Sequence, residues 1–246
     1  RKKTIFCEKP LDLNINKIIK TFKKVKKAKS KIQLGFNRRY DPGHFSIKKS
    51  LDKNKIGKLE KIIITSRDPS PPSISYLKSS GGIFRDMMIH DFDLCRFYLG
   101  KDEIDQVHAF TSSFEPFYKR IKDHELAVVT MKSKRGVICV ITNSRHCSFG
   151  YDQRVELFGK NGMLISGNKR ENSTECFNSN QTSSQKPFLN FFMERYDDAY
   201  NLQLKELILL HKNKIKSRST FKDGYLALKL ANAAYKSLKL KKTIKV

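Results

Sequence analysis

The first forty residues contain two short apolar runs separated by an amphipathic helical pattern. The run at residues 4–7 is stopped by Glu8-Lys9-Pro10, and a second run lies at residues 32–36. Between them, residues 14–29 place isoleucine, phenylalanine and valine on one face and lysine on the other, with Asn14 in position to cap the helix. Strand, helix and strand predict one βα unit of a parallel sheet.

Lys9 lies at the end of the first predicted strand, and Pro10 restricts it to an extended conformation. Open α/β sheets place their ligand sites at this end of a strand. Lys9 is therefore a candidate site residue, and an ordinary solvated lysine is the alternative.

After residue 40 a helix is predicted first, and from residue 59 onward the pattern changes to longer alternating strands. Asp41-Pro42 predicts the start of a helix that ends near Gly57. Strands are predicted at residues 60–66, 106–112, 125–132, 136–143, 153–159 and 162–166, a flexible polar loop at 168–185, and helices at 188–211 and 223–238. Consecutive strands with short links pair antiparallel. The predicted fold class is α/β followed by α+β with a mainly antiparallel open sheet, divided into domains 1–40 and 41–246.

The pair Gly81-Gly82 precedes a helical pattern that contains a candidate acid and base. Asp86 and His90 are four residues apart, so one helical turn would place both side chains on one side, with the carboxylate able to reach the imidazole. Such a pair can serve in acid–base catalysis. An ordinary surface hydrogen bond is the alternative, and the spacing alone does not decide between the two.

The composition is strongly basic, with 50 Lys and Arg against 24 Asp and Glu and a net charge of +26. This charge suggests a nucleic-acid or membrane partner. The excess is mostly lysine spread over every predicted element, without a nucleic-acid-binding motif, so we expect no specific nucleic-acid partner. No apolar run approaches membrane-spanning length, and the five cysteines form no C-x-x-C pair. We expect a cytoplasmic protein with no membrane contact and no metal site.

Three separated segments occur in a distinctive order. Glu8-Lys9-Pro10 is followed by GFNRRYDP at residues 35–42, and SRDP at residues 66–69 precedes GGIFRDMMIHDFD at residues 81–93. Together these motifs resemble the Gfo/Idh/MocA oxidoreductases, and most closely the inositol 2-dehydrogenases. The likeness covers nearly the whole chain, including GYDQRVELFG at residues 150–159 and FFMERY at residues 191–196.

The resemblance implies an oxidoreductase that uses NAD, or NADP, to oxidise a secondary alcohol of a cyclic polyol or sugar by hydride transfer. His90 would be the general base, Asp86 the carboxylate that orients it, and Lys9 the active-site lysine that hydrogen-bonds the reacting oxygen and contacts the cofactor. The residues implied in or beside the substrate pocket are Arg39, Asp68 and Tyr151. The resemblance also implies a homo-oligomer formed through the open face of the sheet.

In this family a glycine-rich dinucleotide fingerprint precedes the EKP motif, and residues 1–246 contain no G-x-G-x-x-G. The resemblance therefore implies that residues 1–40 are the last unit of a truncated Rossmann domain and that the chain by itself is inactive. Apolar faces at Ile5, Ile18, Phe22 and Leu34 would then lack cover. Met88 stands where close relatives have threonine. The competing functions are a non-catalytic binding or scaffold protein of the same fold and a basic nucleic-acid-associated protein.

Overall fold

The computed structural model describes residues 3–246, so the first two residues of the predicted first domain lie outside the described residues. The strands are β1 (Thr4–Cys7), β2 (Lys31–Leu34), β3 (Leu59–Arg67), β4 (Ile104–Ser112), β5 (Leu126–Ser133), β6 (Ile138–Ser144), β7 (Asp152–Gly159), β8 (Gly162–Ser166), β9 (Glu175–Asn178), β10 (Gln181–Gln185) and β11 (Ile244–Lys245). The helices are α1 (Ile15–Ala28), α2 (Pro42–Asp52), α3 (Ile74–Ser79), α4 (Ile83–Asp86), α5 (Ile89–Leu99), α6 (Pro116–Ile121), α7 (Phe192–Arg195), α8 (Asp197–His211) and α9 (Phe221–Leu240). A short 3₁₀ helix, Asn37–Tyr40, follows β2.

The predicted strand–helix–strand unit at the start of the chain is confirmed. β1 and β2 pair in parallel, and α1 connects them. The Asn14 side chain accepts the backbone N–H of Asn16 and of Lys17, which supplies acceptors for N–H groups that the first helical turn leaves free. The lysines of α1 are exposed, and the opposite face of the helix packs against α9.

A seven-stranded sheet forms the second part of the molecule, with strand order β11-β4-β5-β6-β3-β7-β8. Of its pairings only β3 with β6 is parallel, so the prediction of a mainly antiparallel sheet is confirmed. The sequence did not predict that β3 lies between β6 and β7. This insertion matters because β3 and β6 run in the same direction, and their carboxyl ends meet at one edge of the sheet.

Three predicted elements differ from the structure. The helix after Gly82 is broken into α4 and α5, because the N–H of Met88 bonds to the carbonyl of Ile83, five residues back, and widens the turn. The helix predicted at residues 188–211 is broken at Tyr196, whose backbone is not helical. The loop predicted at residues 168–185 contains the exposed hairpin of β9 and β10.

One continuous core joins the two parts of the chain. α9 packs against β2 on one side and against β4 and α5 on another. Ile18 and Leu34 are buried beneath it, so the prediction that they lack cover is wrong. Phe22 is half-buried and stacks on Phe221 of α9, with ring centroids 5.4 Å apart, whereas Ile5 is exposed. The domain boundary at residue 40 stays a prediction.

The structure also bears on the cysteines and on membrane-spanning segments. All five cysteines are unpaired. Within residues 3–246, no helix combines the length and the apolar character that a membrane span requires.

A buried histidine lies where α2 meets the edge of the sheet. The carboxylate of Asp41, which caps α2, accepts the backbone N–H of His44 at 2.9 Å. The His44 ring lies 2.8 Å from the Ser166 hydroxyl. Burial lowers the pKa of His44 to about 4, helped by the positive charges of Arg195 and Arg38 and opposed by Asp41. The folded protein therefore holds this imidazole neutral.

We predict that His44 contributes to unfolding in acid. Between its unfolded pKa of about 6.5 and its folded pKa of about 4, the unfolded chain binds a proton that the folded chain excludes, so stability falls as the pH falls. From pH 7.5 to pH 4.5, the free energy of unfolding of His44→Gln should fall by roughly 2–3 kcal/mol less than that of the wild type. Urea unfolding at both pH values measures this difference. The exposed His211→Gln should retain the wild-type acid loss, and an equal loss in all three proteins would contradict the prediction.

Candidate active site

A cavity of about 890 Å³ lies where the carboxyl ends of four strands converge. Glu8 and Lys9 follow β1, Asn37 follows β2, Asp68 follows β3 and Arg145 follows β6; all of them line the cavity. Because β3 and β6 are parallel and the antiparallel β7 begins at the same edge, residues distant in sequence meet there. Tyr76 of α3 and the α4–α5 junction complete this wall, and the segment from Phe191 to Tyr200 forms the opposite wall.

The Asp86 carboxylate lies at the centre of the polar wall. Lys9 Nζ donates to Asp86 Oδ1 at 3.2 Å and to the Asp86 carbonyl at 2.9 Å. The Tyr76 hydroxyl donates to the same Oδ1 at 2.7 Å, and Arg145 Nη1 donates to Oδ2 at 3.0 Å. Burial raises the pKa of Asp86, but Lys9, Arg145 and these hydrogen bonds outweigh it and hold the pKa below its ordinary value. Asp86 is therefore ionised at neutral pH.

His90 is the second residue of α5, just after the break between α4 and α5. Its Nδ1 is buried without a hydrogen-bond partner, and its ring lies edge-on to Phe36 with the centroids 6.0 Å apart. Burial lowers the pKa of His90 well below its ordinary value, and the positive charges of Lys9 and Arg38 lower it further. His90 is thus neutral at physiological pH.

The structure corrects the predicted Asp86–His90 pair. Both residues line the cavity, but no hydrogen bond within residues 3–246 joins their side chains. The break between α4 and α5 changes the helical geometry on which the prediction depended. Asp86 instead binds Lys9, so the contact made by the predicted residues is carboxylate to ammonium.

Asp68 and Tyr151 lie in the cavity as predicted. Asp68 has no side-chain hydrogen bond among the described residues, and burial raises its pKa to about 6 against the opposing charges of Arg145 and Arg38. Burial also raises the pKa of Tyr151 well above its ordinary value, so its phenol stays protonated. The Tyr151 ring lies edge-on to Tyr196, with the centroids 6.0 Å apart. The cavity thus offers a carboxyl acceptor and a hydroxyl donor that protein groups leave free.

Arg39 does not line the cavity, and its neighbour Arg38 does. The Arg39 guanidinium donates to both carboxylate oxygens of Asp93, at 2.7 and 2.6 Å, and lies 3.1 Å from Asp223. Arg38 donates to Ser66 and to Asp91 at 2.8 and 2.5 Å. Adjacent side chains on a 3₁₀ helix point about 120° apart, so only one of the two arginines faces the cavity, and the sequence did not show which.

Sequence reasoning also missed Arg145 and Tyr76, which bind Asp86. Neither lies in a motif with an assigned role, and both come from segments that only the tertiary fold brings to Asp86. The one signal in the sequence was position, since Arg145 comes two residues after the end of a predicted strand, as Lys9 does. Met88 is fully buried in the core and does not line the cavity, whereas Met87 does. The methionine at position 88 therefore leaves the cavity wall unchanged.

We predict that Asp68 lowers the stability of the folded protein at neutral pH. Its folded pKa of about 6 exceeds its unfolded value, so the folded chain binds the extra proton and stability falls as the pH rises from about 4 to 6. Asp68→Asn should therefore be more stable than the wild type at pH 7.5, by about 1–2 kcal/mol, and nearly equal to it at pH 4. Thermal unfolding at the two pH values measures the effect. A variant less stable than the wild type at pH 7.5 would show that Asp68 is paired.

Comparisons with known proteins agree on one family. A family model described as the GFO/IDH/MocA C-terminal domain matches residues 45–165. The inositol 2-dehydrogenase of Rhizobium meliloti is 37% identical over 244 residues, which are 99% of this chain and 74% of that protein. A myo-inositol dehydrogenase structure from Corynebacterium glutamicum superposes with a TM-score of 0.94 at 40% identity, over 98% of this chain and 72% of that one.

A third relative extends the match to every residue. The myo-inositol 2-dehydrogenase of Thermotoga maritima is 40% identical over 246 residues, 100% of this chain and 73% of that protein. Identity of this extent, with a matching fold, is not a chance likeness, and the chain belongs to the Gfo/Idh/MocA oxidoreductase family.

Proposed function

We propose that the cavity oxidises a secondary alcohol of a cyclic polyol, with inositols as the substrate class and NAD as the hydride acceptor. The observation that carries the proposal is the neutral imidazole of His90 beside the Lys9–Asp86 ion pair in one cavity. Relatives named as inositol dehydrogenases support the substrate class, and a related scyllo-inositol dehydrogenase structure is described with bound NAD(H) and scyllo-inositol.

Each polar residue of the cavity has a distinct task in this proposal. His90 accepts the hydroxyl proton, and because its Nδ1 is buried, the accepting nitrogen is Nε2. Lys9 uses two of its three donors on Asp86, which leaves one for the reacting oxygen. Its charge favours the negative charge that develops there. Asp68 and Tyr151 accept from and donate to the other ring hydroxyls.

The residues present fit the nicotinamide end of the cofactor. The cavity borders the carboxyl ends of the parallel strands β1 and β2, where doubly wound sheets bind dinucleotides. Lys9 and Asn37 lie there and would contact the nicotinamide end. When bound, NAD supplies the acceptor for the hydride. Residues 1–40 in this proposal are the last unit of a Rossmann domain, and inactivity of the 246-residue chain by itself stays a prediction.

A non-catalytic scaffold of the same fold gains no support from the cavity. Met88, the smaller of the two departures from the family pattern, lies outside the cavity. A scaffold also has no need of a buried, ionised carboxylate held by three donors, because such a group is costly to bury.

We further propose that the open face of the large sheet binds a second copy of the chain. Paired residues Phe110 and Val128 on β4 and β5, and Phe158 and Met163 on β7 and β8, all lie on this face with exposed side chains. Ile165 extends the apolar surface along β8. Large apolar side chains exposed on a sheet face in this way are typical of an interface between subunits.

In a version of the protein that has a full cofactor domain, His90→Ala should lower kcat for myo-inositol about 100-fold or more, because a positioned base is lost. Asp86→Asn should lower it by a smaller factor, because Lys9 keeps its hydrogen bond to the Asp86 carbonyl. Steady-state formation of reduced nicotinamide measures both effects, and fluorescence titration with NADH checks that the cofactor still binds. The exposed His211→Ala is the matched control and should behave as the wild type. Turnover by His90→Ala within threefold of the wild type would remove His90 from the mechanism.

Phe110→Glu should weaken self-association roughly 30-fold or more, because it places a charge within the proposed apolar interface. Sedimentation equilibrium over a range of protein concentrations measures the dissociation constant. Phe177→Glu is the matched control, since Phe177 is 64% exposed and Phe110 is 67% exposed, but Phe177 lies on the β9–β10 hairpin. A monomeric wild type, or equal weakening by both substitutions, would contradict an interface on the sheet face.

A further inference from the structure

Arg145 is the most deeply buried cation of the cavity wall. Its side chain is 1% exposed. Its backbone N–H donates to the carbonyl of Glu125 at 2.9 Å, which fixes the residue to the start of β5 as well as to the end of β6. A guanidinium without solvent must be held by protein acceptors, so its contacts define its task.

Those contacts connect two carboxylates. Nη1 of Arg145 donates to Asp86 Oδ2 at 3.0 Å, and Nη2 lies 3.6 Å from Asp123 Oδ2. The other oxygen of Asp123 accepts the backbone N–H of Ile83, the first residue of α4, at 2.9 Å. Asp123 therefore holds the start of the helix whose last residue is Asp86, and Arg145 connects Asp123 to that last residue.

The start of α4 is tightly confined. Gly82 has φ of 78°, and a Cβ there would lie 2.1 Å from the Tyr235 hydroxyl and 2.9 Å from Asp123 Oδ1. The Tyr235 hydroxyl donates to the Gly81 carbonyl at 2.9 Å. Because α4 has only four residues, its own backbone bonds cannot fix the direction of Asp86. Contacts from outside the helix must do so.

The charged and titratable groups around this connection are few. Those that face Asp86 are Lys9, Tyr76, Arg145, Asp68 and Tyr235, and those that face Arg145 are Asp86, Asp123, Asp68, Tyr76, Tyr118 and Tyr235. The tyrosines are neutral at working pH, because burial raises the pKa of Tyr118 and of Tyr235 to about 12. Arg145 is therefore the one cation among them that contacts both Asp86 and the anchor of α4.

We infer that Arg145 is a positioning residue of the dehydrogenase site: it connects Asp123 to Asp86, fixes the carboxylate that holds Lys9, and keeps that carboxylate charged. The inference rests on the proposed function. Arg145 itself does not contact the reacting atoms in this arrangement. Its effect reaches the substrate through Asp86 and Lys9.

The test compares Arg145→Met and Arg145→Lys in a version of the protein that has a full cofactor domain. The measured quantities are kcat and KM for myo-inositol from pH 5 to pH 9. In Arg145→Met the acid limb of the kcat/KM profile should move up by about one pH unit or more, because Asp86 loses a cation in contact. Its maximal kcat should fall roughly 10-fold to 100-fold through misplacement of Lys9. Arg145→Lys restores the charge without the fork, so it should recover the acid limb and only part of kcat.

Arg195→Met is the matched control. Arg195 is also buried, 2% exposed, and binds the carboxylate of Asp41 at 2.6 Å, but it does not line the cavity. Its loss should destabilise the protein while the acid limb stays at the wild-type position. The inference is overturned if Arg145→Met leaves the acid limb in place, or if Arg195→Met moves it equally.

A second measurement separates this inference from the proposed function. If the wild type oxidises no polyol, the proposed function fails, and thermal unfolding from pH 7 to pH 3 still tests Arg145. Because Asp86 has a lowered pKa, it stabilises the folded protein above its unfolded pKa, and this contribution is lost as the pH falls. Arg145→Met should reduce that acid loss more in the wild-type background than in Asp86→Asn, where Asp68 still responds to the lost charge of Arg145. An equal reduction in both backgrounds would show that Arg145 does not act through Asp86.

Discussion

The ion pair between Lys9 and Asp86 is the interaction on which the site depends, because it joins the two parts of the molecule. Lys9 belongs to the β1–α1–β2 unit, whereas Asp86 and its other partners, Tyr76 and Arg145, belong to the part built on the large sheet. A carboxylate this buried is stable only while its donors stay in place. Any shift of one part against the other would break the Lys9 contact and remove one of the two cations that hold Asp86 ionised, so the relative position of the two parts and the charge of the site are coupled.

The RRYD segment at residues 38–41 supports this coupling. Two of its three charged residues bind carboxylates on α5, Arg38 to Asp91 and Arg39 to Asp93, and the third, Asp41, binds Arg195 on α7. All of them are buried, so loss of either member of a pair would leave an uncompensated charge. The segment therefore fixes α5 and α7 against the end of β2, and it begins four residues after that strand, which borders the cavity.

Local features of the fold could be predicted from the sequence, and long-range ones could not. The Asn14 and Asp41 caps, the turn at Gly81-Gly82 and the antiparallel strand pairs depend on residues close in sequence. The position of β3 beside β6, and the contacts of Arg145 and Tyr76 with Asp86, depend on tertiary packing that no periodicity encodes. The predicted contact between the Asp86 and His90 side chains is wrong for a reason that is partly local. The spacing of the two residues fits an unbroken helix, but the widened turn at Met88 was not visible in the sequence.

The cations of the cavity explain how a histidine of low pKa could serve as the base in the proposed reaction. Burial and the charges of Lys9 and Arg38 disfavour the imidazolium, so His90 is neutral before the substrate binds but a weak base. The same positive field favours the alkoxide that remains when the hydroxyl proton leaves. The cost of protonating His90 is therefore offset by stabilisation of the oxygen that loses the proton. The same positive charge lowers the pKa of the imidazolium and the pKa of the alcohol. Removal of Lys9 would therefore raise both pKa values together. The difference between them, which sets the driving force for proton transfer, would change little.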